Sequence, residues 1–134
     1  MAEIIGIGSH IVECLRIARM IDRYGELFIQ RVYTAEETRY CQSRKQATPH
    51  FAALWAAKEA TLRVLGATWQ RGISWHDMEI RIGDDGAASL RLDGGAKRLC
   101  DALGASRFAI SLAHCRTHAT ATVIALGRPG APDA

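Results

Sequence analysis

From Phe51 to Leu65 apolar residues occupy nearly every position, interrupted by Lys58, Glu59, Thr61 and Arg63. A helix that is apolar all round is one buried all round. The pattern therefore predicts a central buried helix from about His50 to Leu65, stopped at Gly66. On either side the period changes. The run EIIGIGSHIVEC, rich in Ile and Val, predicts a buried strand in which Gly6 and Gly8 allow close backbone approach. Next, Leu15, Ile17, Ile21, Leu27 and Phe28 recur at roughly helical spacing, with Gly25 ending or breaking the helix. The segment TAEE places an N-cap at Thr34 ahead of two carboxylates, the signature of a new helix. SRKQATPH is polar and contains Pro49, which predicts a loop.

Beyond the central helix, GISWHDMEIRIGDDGAASLRLDG carries Asp85-Gly86, a hairpin signal between two strands. GGAKRLCDALG predicts a short amphipathic helix between glycines. RFAISLAHCRTHATATVIAL predicts two strands joined by a polar turn at Arg116, Thr117 and His118. Strand, helices, long helix, strands, short helix, strands is the order of an α+β fold with antiparallel sheets, not of alternating βαβ units. One domain is expected over residues 1–127, with a Pro/Gly-rich frayed tail at 128–134.

Composition narrows the function classes. A chain of 134 residues with 49% hydrophobic and 23% charged residues is an ordinary globular domain, long enough for a real core. The formal net charge of +3 is too small for nucleic-acid binding, yet it suits an acidic partner where basic residues cluster. Cys14, Cys41, Cys100 and Cys115 show no zinc-ligand spacing, and reduced thiols are expected. With no signal-peptide pattern and no apolar run of membrane-spanning length, the chain is expected to be cytoplasmic and to bind no membrane.

The charged pair in the apolar helix carries the chemistry. Lys58 and Glu59 are adjacent, so they point about 100° apart and each requires its own compensation. For Glu59 the residues alone leave a structural salt bridge and a metal ligand facing a cleft both open. The other candidate ligand is His10, set in an apolar strand just after Gly6 and Gly8, where a hydrogen-bonded core histidine is the alternative.

Taken together, G-I-G-x-x-I-V-E near the N-terminus, A-A-K-E-A on the helix, G-I-S-W-H-D-x-E, RVYTAEE and the late SLAHC resemble the holo-acyl-carrier-protein synthases, the small bacterial phosphopantetheinyl transferases. The likeness runs from about Ile5 to Ile124. It implies a pseudo-twofold α+β fold, with antiparallel strands packed on one long buried helix. It also implies a homotrimer with active sites between subunits. The implied reaction moves the 4'-phosphopantetheine arm of coenzyme A to a serine of apo-acyl carrier protein and releases adenosine 3',5'-bisphosphate. A divalent cation, normally magnesium, is implied at the coenzyme A pyrophosphate.

By this resemblance Glu59 matches the metal-ligating helix carboxylate, and Lys58 and Arg63 fall to the phosphate region of coenzyme A. His114 matches the late-strand histidine near the coenzyme, and Gly66 the place where backbone comes close to it. Trp75 is expected to pack, and His76 and Asp77 to hydrogen-bond at a strand start. Two positions depart from the pattern. His10 stands where the family has an aspartate as second metal ligand. Imidazole suits manganese, zinc, cobalt or iron better than magnesium. Leu54 stands where the family usually has arginine. If those two family charges balance one another, the two departures are linked.

Arg16, Arg19 and Arg23 fall three and four residues apart, on one helical face. Acyl carrier proteins are acidic, so this stripe is the expected docking surface, against the alternative of a solvated face. The reading from another class is a catalytically silent member that binds coenzyme A or a carrier protein without transfer, which His10 and Leu54 keep open.

Overall fold

The computed structural model describes residues 2–66 and 72–128. Strand β1 (Glu3–Glu13) leads into helices α1 (Cys14–Tyr24), α2 (Glu26–Val32), α3 (Ala35–Gln42) and α4 (Ala47–Val64). A single 3-10 turn at Trp75–Asp77 precedes β2 (Met78–Ile82) and β3 (Ala88–Leu92). Helix α5 (Gly94–Leu103) then leads to β4 (Ala105–His114) and β5 (His118–Gly127). The strands form two antiparallel sheets, one ordered β1-β5-β4 and one the β2-β3 hairpin. This is the α+β architecture that the strand and helix order predicts. No helix among the described residues is long and apolar enough to cross a membrane.

Helix α4 is the centre of the molecule, with twelve of its residues buried. It packs on β1 and β5, and Gly8 makes that packing possible. A Cβ there would lie 2.3 Å from the carbonyl oxygen of Ala60, so the close approach that Gly8 permits is that of α4 itself. The helix stops where expected: Gly66 has φ +69, a left-handed conformation that glycine adopts without a Cβ penalty. Its start differs from expectation. Pro49 lies in the first turn of α4, not in a loop, because Gln46 is the N-cap and Ala47 already helical. The first four amides of a helix have no intrahelical acceptor, so the missing N–H of proline breaks nothing there.

Local signals behave as read at several other points. Thr34 and Glu37 form the full capping box of α3: Thr34 N donates to Glu37 Oε1 (2.9 Å) and Glu37 N to Thr34 Oγ1 (3.2 Å). Gly86 N donates to Gly83 O and Gly83 N to Ala87 O, closing the β2-β3 hairpin. Asp77 Oδ2 accepts from Ser74 N at 3.1 Å, capping the turn before β2. Cys14, Cys41 and Cys100 are buried and Cys115 is exposed, all as free thiols. Of the expected tail only Arg128 is described, and its amide donates to Gly104 O.

The first strand is buried on one face only. Gly8 and Val12 of β1, with Ala119, Ala121, Val123 and Ala125 of β5, face α4. The alternate positions of a strand point the other way. There Ile7 and Ile11 are 60% and 62% exposed, beside the half-buried Ile124 and Leu126 of β5. The sheet thus presents an apolar outer face that no other element among the described residues covers.

Candidate active site

Glu59 and Lys58 part company in the structure. Lys58 turns into the core, where its Nζ meets Glu37 Oε1 at 2.8 Å with both side chains fully buried. The same ammonium donates to Val32 O (2.8 Å) and Trp75 O (3.1 Å), and Glu37 Oε2 accepts from Ile80 N at 2.7 Å. An ammonium has three N–H donors, and all three are used inside the protein. The expectation that Lys58 binds coenzyme phosphate is therefore corrected: it is one half of a buried ion pair that ties α4 to α3 and β2. Burial lowers its pKa, against the pull of Glu37. Neighbouring Cys41 has its thiol pushed up to about 12, first by burial and then by Glu37.

Glu59 takes the other direction and is half-buried. Positions 55, 59 and 63 recur every four residues, so Trp55, Glu59 and Arg63 share one side of α4. Trp55 stacks on Phe28 and Trp75, with ring centroids 5.9 and 4.6 Å away, which bears out Trp75 as a packing residue. Arg16 of α1 lies over the Trp55 ring at 5.9 Å. His10 enters from β1, opposite Ala121 of β5. Burial lowers the His10 pKa below the usual histidine value; Glu59 opposes this, while Arg63 and Arg16 add to it. One carboxylate, one imidazole and two guanidiniums thus lie within electrostatic reach of one another. His10 and Arg63 also line a surface cavity of about 510 Å³ with Ser9, Thr120 and Thr122.

The donor set here is one carboxylate and one imidazole. No group of three or more His, Cys, Asp or Glu donors occurs among the described residues. Two protein ligands suit a divalent ion whose remaining positions go to substrate oxygens and water. The nitrogen donor turns that preference from magnesium towards manganese, zinc or cobalt.

His114 is not brought to this site. It ends β4 and lies beside His50, near the start of α4. Nine residues of helix separate His50 from Glu59, about 14 Å at 1.5 Å per residue. Around His114 is a second cavity of about 510 Å³, lined also by Arg44, Lys45, His50 and Arg116. The sequence marks none of these four as chemistry: the basic run at residues 44–45 reads as part of a polar loop. Arg19 and Arg23 are exposed on α1 with Arg16, and among the described residues none of the three forms an ion pair. Gly66 is exposed just past α4, next to residues outside the described set. Leu54 is packed in the core, 1% exposed, one turn before Lys58.

The 4'-phosphopantetheinyl transferase superfamily model matches residues 6–123. The chain belongs to that superfamily. Within it stand the holo-acyl-carrier-protein synthases: the one from Koribacter versatilis is 40% identical over 121 residues, covering 90% of this chain and 97% of the relative. Among solved structures, the synthase from Neisseria meningitidis superposes with a TM-score of 0.83 at 26% identity, covering 92% of this chain and 98% of that one. The Bacillus anthracis synthase, solved in complex with CoA (3',5'-ADP), superposes with a TM-score of 0.76 at 28% identity, covering 93% and 98%. Family and fold are those that the motifs imply, and the chain is a transferase of the holo-acyl-carrier-protein synthase type.

Proposed function

We propose that this protein transfers the 4'-phosphopantetheine arm of coenzyme A to a serine of apo-acyl carrier protein. The observation that carries the reading is the placement of Glu59 with His10, Arg63 and Arg16 at one end of α4. The carrier serine Oγ attacks the phosphorus nearest the pantetheine arm. A new P–O bond forms, the bridging P–O bond breaks, and adenosine 3',5'-bisphosphate leaves. The Arg63 guanidinium offsets the charge on the leaving diphosphate oxygen, and the Glu59 carboxylate receives the serine proton through a water. Glu59 and His10 would hold a divalent ion, which when bound neutralises diphosphate charge. At the other end of α4 the cationic cavity around His114 suits a second anionic group of the coenzyme.

The bare sheet face of Ile7, Ile11, Ile124 and Leu126 supports assembly into a homotrimer, since an apolar patch rimmed by polar residues is a contact surface. Such an assembly would let the Glu59 site of one subunit and the His114 cavity of its neighbour serve one coenzyme. Arg16, Arg19 and Arg23 form the docking stripe for the acidic carrier in the cytoplasm.

His10 favours a second reading, binding of coenzyme A or carrier without transfer. Chromatography separates the two. Coenzyme A and apo-carrier are mixed with the protein and magnesium, manganese, cobalt or zinc, beside a chelated control. Carrier-dependent release of adenosine 3',5'-bisphosphate with at least one ion supports transfer. Binding of coenzyme A by calorimetry without release under any ion establishes the silent reading.

A further inference from the structure

Two cysteines 101 residues apart in sequence meet at the β4-β5 turn. Cys14 opens α1, and its amide donates to Thr117 O at 2.8 Å. Its thiol donates to the carbonyl of Cys115 at 3.9 Å. Cys115 is held in the turn by its own amide, which donates to His118 O at 2.9 Å. Its exposed sulfur lies 3.5 Å from Thr117 Oγ1, whereas Cys14 is buried. The turn stands between two cavities. Cys115 lines the cationic one around His114, and Cys14 lines another of about 570 Å³ with Leu15, Ala18 and Pro49. Arg116 borders both. A shift of this turn therefore has space on either side, and it carries His114 and Arg116, the chain neighbours of Cys115.

We propose that Cys115 and Cys14 form a redox modification site: a hydroperoxide oxidises Cys115, Cys14 closes a disulfide with it, and the displaced turn loosens the hold of the cationic cavity on its anion. The last step rests on the reading of coenzyme A as substrate; the first two do not. The thiolate is the nucleophilic form of cysteine. Hydrogen bonds from Thr117 and the backbone favour it at Cys115 by lowering the pKa. Cys14 stays a thiol, its pKa raised first by burial and then by Cys115. The Cys115 sulfur attacks one peroxide oxygen and the O–O bond breaks. The other oxygen leaves and takes back the proton that the thiol gave up, as water or an alcohol. The Cys14 sulfur then attacks the sulfenic sulfur of Cys115. An S–S bond forms, the S–O bond breaks, and hydroxide leaves as water with the Cys14 proton. Two thiols and one hydroperoxide thus give one disulfide, one water, and one further water or alcohol. Closing the bond takes the Cys115 sulfur from Thr117 to the start of α1, and the turn moves with it.

The test treats the full chain with hydrogen peroxide, desalts it, checks its fold by circular dichroism and maps its peptides without reduction. Wild type should lose two hydrogens in intact mass and yield one linked peptide pair, Cys14 with Cys115. In Cys14→Ser the sulfenic acid on Cys115 has no thiol to meet and is captured by dimedone; in Cys115→Ser no link forms. Affinity is read by calorimetry with adenosine 3',5'-bisphosphate, which has no thiol to reduce the disulfide. It should fall about fivefold or more in oxidised wild type. It should return with dithiothreitol, and in Cys115→Ser it should not respond to peroxide. Folded protein with no Cys14–Cys115 link, or with a link through Cys41 or Cys100 instead, overturns the proposal. A link that leaves the affinity unchanged overturns its coupling to the cavity. If the link forms and neither the reduced nor the oxidised protein binds the bisphosphate, the redox site is upheld and the coenzyme reading falls.

Discussion

Removing the carboxylate of Glu37 should destabilise this protein more than most single substitutions, because it strands Lys58. Both side chains are fully buried and 2.8 Å apart. Glu37→Gln keeps the shape and one acceptor for the amides of Thr34 or Ile80, but leaves an ammonium in the core held only by the carbonyls of Val32 and Trp75. Breaking a buried pair from one side costs about 3–5 kcal/mol. At an unfolding entropy of about 2.1 cal/mol/K per residue, 134 residues give about 0.28 kcal/mol/K, so Tm should fall by about 11–18 °C. Lys58→Met should cost a similar amount, since it leaves the carboxylate with two backbone donors and no cation. The double variant, Glu37→Gln with Lys58→Met, should recover part of the loss, because no buried charge remains. Urea unfolding followed by circular dichroism gives the double-mutant cycle. Losses under about 1 kcal/mol for both single variants, or a double variant equal to their sum, would refute the buried-pair account.

Three further outcomes follow from named groups. His10→Asp supplies a hard oxygen donor beside Glu59 and should move the ion preference of coenzyme transfer from manganese, cobalt or zinc towards magnesium; an unchanged order of ions would remove His10 from the metal. Arg23→Glu should raise KM for the carrier protein and leave KM for coenzyme A alone, whereas Arg16→Glu should move both, because Arg16 also lies in the field of His10; an unchanged carrier KM for Arg23→Glu would discard the docking stripe. Alkylation should mark Cys115 first: its thiol is exposed and its pKa is lowered by hydrogen bonding at Thr117, while Cys41 at about 12 stays protonated until strongly alkaline pH. Peptide mapping that finds Cys41 labelled first near neutral pH would contradict that order.

Much of the fold was legible because its signals are local. A Thr-x-x-Glu box, a helix with almost no polar face, and Asp85-Gly86 between alternating runs each yield the element they signal, with the start of α4 three residues earlier than its apolar pattern indicates. Pro49 misled because proline ends helices in their interior but is harmless in a first turn, and the boundary alone decides between them. The compensation of Lys58 was expected in kind and missed in identity. Glu37 lies in another helix, and its role in the capping box of α3 hides that its side chain also meets a lysine in α4. His50 escaped for the same reason. Nothing within a turn of it in sequence marks it as chemistry, and its partner His114 comes from a strand near the other end of the chain.

The central claim is that Glu59 serves phosphopantetheine transfer to a carrier serine, and the intact mass of the carrier after reaction reads it most directly. Apo-carrier is incubated with coenzyme A, the most effective ion and either wild type or Glu59→Gln, beside a carrier whose acceptor serine is alanine. The account predicts a phosphopantetheine-sized gain with wild type, none on the alanine carrier, and a rate lower by about 10²-fold or more with a folded Glu59→Gln protein. A carrier left unmodified by wild type under every ion, or labelled equally fast by Glu59→Gln, would contradict it.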